Sequence, residues 1–118
     1  MISHVTVRTA RLHETVEFYQ WFLDLPIAME LQTPMGEIIF LGTNDAQLEL
    51  IGDEKAEKIN AKGLTLGVPV EDLDKKIALL ESKGIPHSGI LSPMPQVKFV
   101  LFNDLNGCEI QLMEEMKQ

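Results

Sequence analysis

Apolar and polar residues alternate through positions 2–8 (ISHVTVR), with Val5 and Val7 on one side and His4, Thr6 and Arg8 on the other. That alternation predicts a strand with two unlike faces. The period then lengthens. Leu12, Val16, Tyr19 and Leu23 recur at spacings of four, three and four, and Phe18 and Phe22 broaden the stripe, so 11–23 reads as a buried amphipathic helix. Thr9 is its expected N-cap and Pro26 bars its continuation. Three short apolar runs follow at 27–32, 37–42 and 46–51. Pro34 and Gly36 separate the first two, and Thr43-Asn44-Asp45 the last two, a spacing suited to antiparallel hairpins.

Residues 52–62 (GDEKAEKINAK) are charged and hold no sustained apolar face, which marks a linker with at most a turn of helix. Beyond it the pattern restarts: a strand over 64–70, a helix over 71–83 with Leu73, Ile77 and Leu80 on one side, a weak strand over 85–91 interrupted by Pro86, a stronger one over 96–103, and a last one over 108–114 after the Asn106-Gly107 turn. Val7 and Leu12 fall on Val68 and Leu73 at an offset of 61 residues, while Leu48-Glu49-Leu50-Ile51 falls on Ile110-Gln111-Leu112-Met113 at an offset of 62. Two offsets one residue apart imply a duplicated βαβββ unit with one net insertion. The expected architecture is α+β, a single domain over 1–118 with repeat units of about 1–52 and 62–118. The unlike strand faces then place His4, Thr6, Arg8, Glu49, Thr65 and Gln111 on the side away from the helices, lining a cleft between curved mixed sheets.

Composition narrows the function classes. A chain of 118 residues, 45% hydrophobic, fits one domain and buries enough surface to fold without disulfides or structural metal. Lys and Arg number 10 against 18 Asp and Glu, a net charge of −8 that repels nucleic acid and anionic membranes. No apolar run approaches the ~18 residues that span a bilayer, and MISHVTVRTA has neither the basic nor the apolar region of a signal peptide. With Cys108 as the sole cysteine no internal disulfide is possible, and the cytoplasm is the default compartment.

The paired βαβββ units, the opening His4-Val5-Thr6-Val7, the helix ending Phe18-Tyr19 through Leu25, Leu48-Glu49-Leu50, and Asp104-Leu105-Asn106-Gly107 before Glu109-Ile110-Gln111-Leu112 resemble the vicinal oxygen chelate superfamily, the glyoxalase, bleomycin-resistance and extradiol-dioxygenase group. The resemblance implies a glyoxalase-like domain, a homodimer, and in the catalytic branches a divalent metal (Zn, Ni, Co, Mn or Fe) held by residues of the first and last strand of each unit. His4 and Glu49 match two ligand positions; Thr65 stands where those enzymes usually carry histidine, and Gln111 where they carry glutamate. A threonine hydroxyl is a poor ligand and an amide oxygen is neutral, so the set His4, Glu49 and Gln111 would hold a metal loosely. An amide at Gln111 cannot act as the proton-shuttling base, which disfavours ordinary lactoylglutathione lyase chemistry, and the missing histidine and glutamate disfavour extradiol cleavage.

Two readings stand: a divergent metal-dependent lyase- or isomerase-like protein with Glu49 as its catalytic carboxylate, or a metal-free protein that sequesters a small molecule as bleomycin-resistance proteins do. Thr6, Arg8, Thr65 and Lys98 are candidate ligand-binding residues, Arg8 and Lys98 able to hold a carboxylate or phosphate, with solvated strand charges as the alternative. His13 and His87 read as surface residues, and Cys108, alternating with Ile110 and Leu112, as core. The segment 88–96 (SGILSPMPQ) reads as a loop able to close over a ligand or a second subunit. Met29, Met35 and Met94 suit an adaptable apolar surface, while Met113 and Met116 finish the last strand.

Overall fold

Residues 1–43 and 46–114 are described by the computed structural model. They form the same series of elements twice, in two compact units that meet between Lys58 and Ile59, inside the expected linker. The first unit comprises β1 (His4–Thr9), α1 (Leu12–Leu23), β2 (Ile27–Thr33), β3 (Gly36–Leu41) and β4 (Gln47–Gly52). The second comprises β5 (Leu66–Val70), α2 (Leu73–Ser82), β6 (Leu91–Met94), β7 (Val97–Asn103) and β8 (Glu109–Glu114). Each unit builds a four-stranded mixed sheet, in the orders β1-β4-β3-β2 and β5-β8-β7-β6. In each the first and last strands pair in parallel and the others antiparallel. Register carries the duplication: Val7 lies opposite Leu50 in the first unit, and Val68 opposite Leu112 in the second.

Alternation decides which face each helix covers. Val7, Leu50, Ile39 and Leu41 are buried on one face of the first sheet, and Val70, Leu112, Ile110, Val100 and Phe102 on one face of the second. The helix α1 buries Leu12, Thr15, Val16, Tyr19 and Phe22. Leu23, expected in that stripe, is only half-buried, because the helix stops there and Asp24 turns left-handed at φ 54°. Thr9, the expected cap, stands two residues before the observed one. Arg11 is the N-cap and makes no side-chain capping bond, while Thr9 Oγ1 accepts from the Arg11 amide at 2.9 Å. By contrast Asp72 caps α2 directly, accepting from the Lys75 amide at 3.1 Å. Leu73 and Leu80 are buried beneath α2, with Ile77 half-buried.

Residues 85–94 depart from the expected reading. His87 makes one isolated bridge to Phe102, and the strand proper, β6, forms inside the expected loop 88–96. The pattern hid this because Pro86 and Pro93 both lack a donor; an edge strand tolerates that, since its outer side needs no ladder partner. The linker carries turns rather than helix, with the Ala56 amide bonded to the Asp53 carbonyl at 2.9 Å. Two glycines are required by close approach. A Cβ at Gly36, φ +119°, would lie 2.7 Å from the Gly52 carbonyl oxygen, and one at Gly107, φ +85°, 2.6 Å from that of Ile59. Asn44-Asp45 of the expected turn and Met116 lie outside the described residues. Among the described residues no helix is long and apolar enough to cross a membrane.

Candidate functional site

In the first sheet β4 is an interior strand, so Glu49 has neighbours on both sides: Thr6 on β1 and Phe40 on β3. Met29 on β2 continues the row beyond Phe40. This row lies on the face away from α1 and runs from polar at β1 to apolar at β2. The Glu49 side chain is 14% exposed, which demands partners for its charge. It has two. The Thr6 hydroxyl donates to Oε1, and His4 Nε2 lies 3.4 Å from the same oxygen. His4 Nδ1 in turn is 2.7 Å from Ser3 Oγ, and its ring stands edge-on to Phe40 at 5.7 Å. Arg8 lies one pleat further along the same face, opposite Ile51.

The second unit places its predicted residues differently. Gln111 lies opposite Gly67 and Leu101, with its Oε1 3.9 Å from where a side chain at Gly67 would begin. Thr65, just before β5, donates to the carboxylate of Glu109. Sequence reasoning missed Glu109, although it stands 62 residues after Gln47 and so one pleat before Gln111. Lys98 falls on the parity of Val100 and Phe102, the helix side, where its ammonium is 3.1 Å from Glu114. Glu114 also accepts the Leu73 amide at 3.1 Å and so ties β8 to the start of α2. The Glu114 hydrogen bond and then its charge hold the Lys98 ammonium above its ordinary range, with Asp74 and Asp72 adding to the effect. Lys98 is therefore placed beside Glu114 on the helix side of the sheet and not beside Gln111.

His13 is exposed and 3.1 Å from Glu37, whereas His87, read as a surface residue, is only 15% exposed. Its Nδ1 accepts from the Gly89 amide at 3.0 Å and its Nε2 faces Glu81 at 3.5 Å. Cys108 is buried, and burial, then the charges of Asp104 and Glu109, push its thiol up to about 11, which suits core packing.

The Glyoxalase/Bleomycin resistance protein/Dioxygenase superfamily profile matches residues 1–112. The chain belongs to that superfamily. Among solved structures it is similar to a glyoxalase family protein from Enterococcus faecalis, at 24% identity over 97% of each chain with a TM-score of 0.76. It is similar to TnmS3, an antibiotic-binding protein from a Streptomyces species, at 18% identity over 97% of this chain and 94% of that one, TM-score 0.75. It is also similar to lactoylglutathione lyase from Agrobacterium tumefaciens, at 17% identity over 97% of this chain and 92% of that one, TM-score 0.68. No curated protein matches it. These likenesses establish the glyoxalase-like α+β fold with two repeat units.

Many members of the glyoxalase superfamily use a divalent metal, so its fit to these residues is a fair test. Two donors each about 2.1 Å from a zinc ion and ~109° apart lie about 3.4 Å from one another, which is the separation of His4 Nε2 and Glu49 Oε1. These two fit as ligands. Among the described residues, however, no group of three or more His, Cys, Asp and Glu side chains converges, and catalytic zinc sites ordinarily have three protein ligands. Gln111 stands on the second sheet beside Gly67, and its neutral oxygen would add little affinity.

Proposed function

We propose that this glyoxalase-superfamily protein binds a small molecule on the face of the first sheet away from α1, with Glu49 as the polar anchor and no obligatory metal. The observation that carries this is the row Thr6, Glu49, Phe40 and Met29, which sets one shielded carboxylate beside an aromatic ring and a half-exposed methionine. Such a face suits a flat apolar molecule bearing a donor or a positive charge: the ring stacks on Phe40, Met29 adapts to its outline, and Glu49 accepts from the polar end. Arg8, one pleat away, would meet an acidic substituent. Kinship of fold with an antibiotic-binding protein supports sequestration as the purpose. We further propose that the protein works as a homodimer in the cytoplasm; a lone buried thiol, Cys108, requires no oxidising compartment.

The test is a calorimetric and thermal-shift screen of aromatic amines and antibiotics with chelator present. Binders should lose about tenfold or more in affinity, ~1.4 kcal/mol, in Glu49→Gln and Phe40→Ala. A screen in which no compound binds chelated protein would sink the proposal. Light scattering checks the dimer.

The 3.4 Å separation of His4 and Glu49 favours a second reading, in which the pair supplies two ligands to a labile divalent ion. Bound there, the ion would polarise a substrate oxygen. His4 and Glu49 would hold it, and the shielded surroundings of Glu49 would keep the carboxylate oriented. Uptake of nickel or zinc at ~100 μM, a binding free energy of about −5.5 kcal/mol, that disappears in a His4→Ala, Glu49→Ala double variant is the expected result on this reading.

A further inference from the structure

We propose that the second unit carries a separate site for a small zwitterion, an α-amino acid with a short side chain, in the recess between residues 59–64 and the start of β8. The recess has a volume of about 140 Å³, and Asn60, Lys62, Asn103 and Glu109 are among the residues that line it. It shares no residue with the Glu49 face and owes nothing to the function proposed above.

Its construction is specific. At one side Glu109 is half-buried, its carboxylate fixed by the Thr65 hydroxyl, and Asn103 stands directly opposite it across the ladder. The other side is the backbone of 59–64, drawn onto the turn by the Ile59 amide, which donates to the Asn106 carbonyl at 2.7 Å, and closed by the Leu64 amide on the Ala61 carbonyl at 3.4 Å. Only glycine at 107 allows this approach, since a Cβ there would meet the Ile59 carbonyl oxygen at 2.6 Å. The first unit shows what a closed version looks like. Gln47, the counterpart of Glu109, turns its amide back onto the Gly42 carbonyl at 3.1 Å, and Gly42 is the counterpart of Asn103. Glu109, as a carboxylate, makes no such bond and accepts from the Thr65 hydroxyl instead.

Charge selects the ligand. The residues that line the recess include one acid, Glu109, one base, Lys62, and two amides, Asn60 and Asn103, which can both donate and accept. A simple anion would meet Glu109 and a net charge of −8, and a simple cation would meet Lys62. A zwitterion places its ammonium at Glu109 and its carboxylate at Lys62. The remaining lining, Ile59, Ala61, Gly63, Leu64 and Gly107, is apolar and suits a short side chain.

The experiment titrates the full isotope-labelled chain with L-alanine and follows the amide resonances of Gly63 and Gly107. Saturable shifts confined to the recess are expected, with a dissociation constant on the order of 1–10 mM. Alaninamide and N-acetylalanine, each lacking one charge, should bind at least about tenfold more weakly, as should Glu109→Gln and Lys62→Met. Glu109→Gln keeps an acceptor for Thr65, and exposed Lys62 tests the idea even if that variant unfolds. Shifts that fail to saturate by ~50 mM, or equal binding of N-acetylalanine, or undiminished binding by Lys62→Met, would overturn the proposal.

Discussion

The two units share one topology but hold their helices by different means. The helix α1 rests on packing: Phe18, Tyr19 and Phe22 gather on it, with the Phe18 and Phe22 rings stacked at 5.3 Å, while its N-cap Arg11 makes no side-chain capping bond. The helix α2 has no aromatic residue, and its first turn is fastened by Asp72 on the Lys75 amide and Glu114 on the Leu73 amide. A duplicated scaffold thus tolerates an exchange of hydrophobic burial for hydrogen bonding. The polar faces differ in the same spirit. Both units join a threonine hydroxyl to a glutamate across the parallel strand pair, but Thr6–Glu49 lies mid-strand whereas Thr65–Glu109 lies at the strand mouth. One carboxylate is aimed at the sheet face, the other at a recess.

Mutations should expose the contrast. The largest effect is expected from Phe22→Ala, fully buried at 0% exposure, which should cost about 3–5 kcal/mol in urea unfolding against about 2–5 for Leu80→Ala under α2. A smaller effect separates the helix starts. Asp72→Ala should lose about 1 kcal/mol by removing a cap, whereas Arg11→Ala should lose no more than about 0.5, since its pair with Glu14 is a surface one. Equal losses at the two positions would refute the contrast. The subtlest effect belongs to Cys108, whose thiol ordinarily titrates at 9.0 and is raised in the fold to about 11. Because folding favours its neutral form, its contribution is complete below pH 9 and is lost as pH rises through about 11. Lys98, also raised, loses its contribution in the same direction as pH rises above 10.5. Cys108→Ala should therefore have a flatter stability profile between pH 9 and 11, and native Cys108 should resist thiol reagents at pH 8.

The duplication was legible because Val7, Leu12 and Leu50 recur as Val68, Leu73 and Leu112 on strands and helices whose periods differ. The pairing of His4 with Glu49 was implied by the family resemblance, which draws ligands from the first and last strand of each unit, while the ladder sets His4 opposite Gln47 and Thr6 opposite Glu49. Other features were hidden for physical reasons. In β7 apolar residues occupy both parities, Val100 and Phe102 beneath the helix and Phe99 and Leu101 on the other side, so alternation could not say which way Lys98 points. Leu23 and Phe22 are equally apolar, and only the left-handed turn at Asp24 decides which is covered. His87 follows a proline and so resembled a loop residue, but its ring is held by the Gly89 amide two positions on. Glu109 escaped notice because the recess it lines is formed with the backbone of a distant segment, residues 59–64.

The parallel pairing of β1 with β4 has a kinetic corollary. Thr6 and Glu49 are 43 residues apart, Thr65 and Glu109 are 44, and in both units the strands between them are joined by tight hairpins. Closing a long loop costs more entropy than closing a short one, and distant contacts form slowly. The meanders should therefore condense first and each leading strand dock last. The Glu49 carboxylate would then acquire its threonine only at the final step of the folding pathway, and amide exchange in β1 would report when that step is complete.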